Sequence, residues 1–135
     1  MRIEHSDDNT LGFLDEAGMA FMALTAHRLN SALLENGIAD PVTRQSICEN
    51  FMFSFAYHHD AGWLISNGTK VFPRITLAER TVPGDGDNLG PIETLHVPTE
   101  ASSWHEYAHG VVAQYFEEDG EAVPDLRRGS YDLED

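Results

Sequence analysis

An α+β domain follows from three features of the sequence. Two long stretches in the N-terminal half carry apolar residues at a period of about 3.6, short β-branched and aromatic runs flank an Asn-Gly pair in the middle, and a further amphipathic stretch follows Pro98. The expected order is two N-terminal helices, a small antiparallel sheet of about three strands, a third helix and a polar C-terminal tail. Residues 1–118 are read as a single domain and residues 119–135 as an acidic, flexible tail.

The first helix is expected over about residues 14–36, where Leu14, Ala17, Phe21, Leu24, Leu29, Leu33 and Leu34 recur on one side and Gly37 supplies a stop. Asp40-Pro41 opens the second, an N-cap acceptor followed by proline at the first helical position. Its apolar face is expected to hold Ile47, Cys48, Phe51, Met52 and Phe55. The run from Phe51 to Tyr57 is apolar almost all round, which points to burial on more than one side or to a homodimer contact. Trp63-Leu64-Ile65 and Lys70-Val71-Phe72 enclose Asn67-Gly68, the favoured pair for a two-residue hairpin turn. Pro73 cannot donate to a ladder, so it marks an edge or a bulge before Ile75, Thr76 and Leu77 continue the strand. A third strand is expected at 92–97 and the third helix at about 100–118, with Thr99 as cap, Ser102 and Ser103 assisting, and Glu100 in the first turn.

Composition limits the function classes. The chain's 135 residues, 41% of them hydrophobic, are enough for one apolar core. A single cysteine, Cys48, excludes an internal disulfide, and its place on an apolar helix face predicts a buried, unreactive thiol. With 23 acidic against 8 basic residues the net charge is −15, which repels nucleic acid and anionic lipid and favours a basic partner. No run is long enough to span a bilayer, and the acidic N-terminus is unlike a signal peptide, so a cytoplasmic location is expected.

One stretch has the residue types and spacing of a known chemistry: His105-Glu106-Tyr107-Ala108-His109, an H-E-x-x-H sequence. On a helix, histidines four apart share a face and can reach one metal, and the glutamate between them can act as base on a metal-bound water. These five residues resemble the zincin metallopeptidases. The resemblance implies zinc held by His105 and His109, with Glu106 as the catalytic base. It leaves open the third ligand that a catalytic zinc needs. His96, on the third strand, and the carboxylates Glu117, Glu118, Asp119, Glu121, Asp125 and Asp132 are the available donors.

Other constellations carry less. His58, His59 and Asp60 form a dense polar group at a helix end, where histidines also complement exposed carbonyls. Asp85 and Asp87 repeat only part of a calcium loop, and phosphate-cradling glycine loops and a nucleophile elbow are absent. Two readings follow. The first is a small acidic cytoplasmic protein that acts by binding a basic protein, inhibitor- or immunity-like, with no cofactor and no catalysis. The alternative is a zinc-dependent, zincin-like hydrolase built on residues 105–109.

Overall fold

The computed structural model describes residues 1–5, 12–81, 90–98 and 103–118. Their order is β1 (Arg2–His5), α1 (Phe13–Glu35), α2 (Pro41–Ala61), β2 (Leu64–Ser66), β3 (Thr69–Val71), β4 (Leu77–Arg80), β5 (Ile92–Val97) and α3 (Trp104–Glu117). The α+β class expected from the sequence holds. The expected caps at Thr99 and Ser102, the Asp85 and Asp87 loop, and residues 119–135 lie outside the described residues.

Local signals set the helix ends. Gly37 has φ +90, and with Gly37 N–H donating to Leu34 O and Ile38 N–H to Leu33 O it closes α1 in a Schellman motif. Asp40 caps α2, accepting from the backbone N–H groups of Val42 and Thr43 and, at 2.7 Å, from the Thr43 hydroxyl. Those hydrogen bonds, the Thr43 hydroxyl foremost, hold the Asp40 carboxyl below its ordinary pKa. Arg44 clamps the turn between the helices: its Nε donates to Asn30 Oδ1, and its Nη1 to Ile38 O and Ala39 O.

The core lies among the three helices. α1 contributes Met22, Ala23 and Ala26, α2 contributes Cys48, Met52 and Ala56, and α3 contributes Trp104, Ala108, Val112 and Tyr115. The deepest line on α1 is Leu14, Gly18, Met22 and Ala26, four residues apart, of which Gly18 and Ala26 are small; Phe21, Leu29 and Leu33 pack around its margin. Small side chains there let α3 come close. Phe51, expected on the buried face of α2, is instead 45% exposed, because α2 turns the line Cys48, Met52 and Ala56 inward and Phe51 falls beside it. Burial pushes the Cys48 thiol up to about 11, so it stays protonated and unreactive.

The strands form two separate units. β5 is the centre of a sheet ordered β1-β5-β4, with β4 antiparallel and β1 parallel to it. The N-terminal strand β1 was not anticipated: four residues, all exposed, carry no periodicity of their own and are strand only because β5 offers them an edge. β2 and β3 make an isolated hairpin turning at Asn67 (φ 51) and Gly68 (φ 76), the backbone the Asn-Gly pair favours. β3 ends at Val71, and the chain runs without ladder partners past Pro73 until β4 starts at Leu77, so the expected continuous strand is broken.

Gly18 shows how tightly α1 and α3 fit. A Cβ built there would lie 2.5 Å from the Trp104 indole. Gly18→Ala is therefore expected to lower stability by about 1–3 kcal/mol through overpacking, read as a fall in the urea midpoint. An unchanged midpoint would show that the indole has room to move.

Candidate functional site

The ends of three helices meet at one buried carboxylate. Asp60, in the last turn of α2, has a side chain only 2% exposed. An acidic group at a helix C-terminus is opposed by its own helix dipole, so its burial there requires donors from elsewhere. The backbone N–H of His105 donates to Asp60 Oδ2 at 2.7 Å, His105 Nδ1 to the same oxygen at 2.6 Å, and His59 Nδ1 to Oδ1 at 3.0 Å. Asp60 thus caps the N-terminus of α3 from another helix. Ser103, the residue in the N-cap position, makes no side-chain cap.

Aromatic packing surrounds the carboxylate. The His59 ring stacks on Trp104 at 4.0 Å between centroids with an interplanar angle of 11°. Trp104 in turn fills the notch at Gly18. From α1, Asp15 sits near enough to feel the same charge: burial raises its pKa, its backbone hydrogen bond with Gly12 lowers it in part, and the negative Asp60 raises it again.

The two histidines of the H-E-x-x-H sequence have different surroundings. His105 is tied inward through Nδ1, its side chain 33% exposed, while His109 is exposed and stacks on Phe53 at 5.1 Å. Phe53 also meets His105 edge-on at 6.4 Å, and Tyr57 meets it at 5.9 Å. The exposure of Phe53, an apolar residue at the surface, has its reason here: it covers both imidazoles. Glu106 points to solvent in the first turn of α3.

His96 is placed elsewhere. It lies on β5, buried, stacked on Phe13 at 3.9 Å, with Nδ1 3.8 Å from Glu4 and Nε2 3.4 Å from Glu79. α3 packs on α1 and α2, while β5 packs on β1, β4 and α1, so His96 is not brought to the motif helix. Among the described residues no group of three or more His, Cys, Asp or Glu side chains is arranged to hold a metal ion. No helix among them is long and apolar enough to cross a membrane.

Chemically, Asp60 fixes the tautomer of His105, because a carboxylate accepting from Nδ1–H leaves Nε2 as the basic nitrogen. The sequence marked His58, His59 and Asp60 as a group but gave no reason to join them to His105. The available signal was the sign of Asp60: a carboxylate at the wrong end of a helix dipole needs a partner.

Asp60→Asn keeps the volume but removes the charge and turns an amide N–H toward a group that donates to Asp60. It is expected to cost about 1–3 kcal/mol in urea unfolding and to change the Nδ1–H signals of His59 and His105 in imidazole nitrogen NMR. Wild-type stability with unaltered tautomers would remove Asp60 from its place as the junction. No family model, curated protein or solved structure matches this chain, so the site is read from its own geometry.

Proposed function

We propose that the protein acts by binding a basic protein partner, with the β2–β3 hairpin at the centre of the contact. The carrying observation is that Trp63, Leu64, Ile65, Val71 and Phe72, five large apolar side chains in one small unit, are each between 40% and 56% exposed. A lone two-stranded hairpin is marginal in water, and clustered exposed apolar groups on a small domain mark a contact surface. This hairpin has only sparse contacts with the rest of the fold.

Charge selects the partner. No acidic residue falls between Asp60 and Glu79, so an acid-free apolar unit stands in a chain of net charge −15. Lys70 within it lies over the Trp63 ring, 4.3 Å from its centroid. The acidic excess of the chain as a whole favours association with a basic protein by long-range attraction, with the apolar hairpin as the contact itself. A second copy would bring a like charge of −15 against it.

Ile65→Glu places a charge on the hairpin face that Ile65 shares with Trp63 and Phe72, without touching the core. A specific basic protein retained from lysate by the wild type at low salt is expected to be lost with Ile65→Glu, and weakened at least about tenfold by raised salt. Retention that ignores both changes, or a stable dimer in sedimentation that Ile65→Glu dissolves, would overturn the reading.

A second reading, a zinc-dependent hydrolase, is favoured by one observation. The Asp60 carboxylate on His105 Nδ1 is the orientation in which metal-ligating histidines are held, with Nε2 left for the ion. His105 and His109 would be ligands and Glu106 the base. In this reading the untagged protein retains close to one equivalent of zinc by elemental analysis, and His109→Ala, at an exposed position, releases it while the fold persists. Metal-free protein that takes up no added zinc removes the reading.

A further inference from the structure

His105 and His109 offer two metal donors on one side of α3. Asp60 holds His105 Nδ1, which leaves the lone pair of that ring on Nε2. His109 is exposed one turn along the helix, and both imidazoles lie against the same Phe53 ring, at 6.4 and 5.1 Å between centroids. Histidines four apart on a helix can reach one ion. A structural zinc takes four protein donors, yet among the described residues no third His, Cys, Asp or Glu side chain joins these two.

The surface beside the pair is open to close approach from outside the chain. Phe53 and Tyr57 are 38% and 54% exposed next to the histidines. Gly110 follows His109 in the interior of α3, where glycine is less stable than alanine. A Cβ built there would meet nothing within 4 Å among the described residues, so packing within them does not account for the glycine.

We propose that zinc joins two copies of this chain, α3 against α3, with His105 and His109 of each copy completing a closed tetrahedral shell. Two-fold symmetry supplies the missing pair in kind, since a surface that gives two ligands in one copy gives the same two in the other. Gly110 lets the two helices come near, and the exposed Phe53 and Tyr57 rings border the ion. Association depends on the metal, because each copy carries a net charge of −15 and the bare chains repel. The inference rests on the two histidine ligands of the zinc reading, but replaces the open position that a catalytic zinc keeps for water with a filled, structural shell.

Zinc chloride is the probe, titrated into the metal-stripped, untagged full chain at an ionic strength where repulsion is screened beyond about 8 Å. The chain is expected to sediment as a monomer without zinc and as a dimer with it, holding about one zinc per two chains by elemental analysis, and to return to monomer with a chelator. Imidazole nitrogen NMR is expected to show the metal at His105 Nε2, with Nδ1 still carrying its proton. His109→Ala, with its thermal midpoint confirming the fold, is expected to abolish the dimer, and Gly110→Leu to weaken it at least about tenfold. Ile65→Glu, on the hairpin, is expected to leave it intact. One zinc per monomeric chain would overturn the shared site and leave the hydrolase reading standing, whereas no zinc uptake would overturn both. A zinc-dependent dimer that survives His109→Ala, or that is indifferent to Gly110→Leu, would also overturn the proposal.

Discussion

One buried negative charge organises this fold. The Asp60 carboxylate lies where the C-terminal turn of α2 meets the N-terminal turn of α3, unfavourable to the first dipole and favourable to the second. Among the described residues His59 and His105 donate to it, and those donors are positioned because the helices meet as they do. The constraint is mutual. Breaking any of its contacts leaves an uncompensated buried ion, a penalty that a well-packed apolar replacement would not carry.

Packing around that point follows from size. Trp104, 1% exposed, removes on the order of 200 Å² from water, worth about 5 kcal/mol as an upper figure at ~25 cal/mol/Å². It can do so because α1 presents Gly18 in its path and His59 lies flat against its other face. Farther along, the Tyr115 hydroxyl meets His27 Nδ1 at 2.8 Å and ties the other end of α3 to α1. The sheet joins this bundle at a different place, where Phe13 at the start of α1 stacks on His96 of the central strand.

The same geometry separates roles that the sequence places side by side. His105 and His109 are one helical turn apart and both meet Phe53, yet His105 is tied inward to Asp60 while His109 is exposed. The segment after Asp60 divides in a similar way. Its hairpin turns Trp63, Ile65 and Phe72 outward, while Arg74 and Ile75, a few residues later, fold back against α2 and wall a cavity. Exposed apolar side chains and part of a cavity wall thus arise from one short stretch free of acidic side chains.

By itself the sequence determined the features that depend on neighbours along the chain. The Asp40-Pro41 start, the Gly37 stop, the Asn67-Gly68 turn, the strand at Ile92–Val97 and the apolar face of α3 all express local backbone preference and periodicity, and each stands where those preferences put it. Tertiary structure decided what depends on residues far apart: the pairing of β1 with β5, the outward turn of Phe51, the capping of α3 by Asp60 where Ser103 makes no side-chain cap, and the meeting of His59 with Arg74 at one cavity. Spacing cannot report these, because a buried charge, an edge strand and a pocket are satisfied through space by whichever partner the packing of the helices delivers.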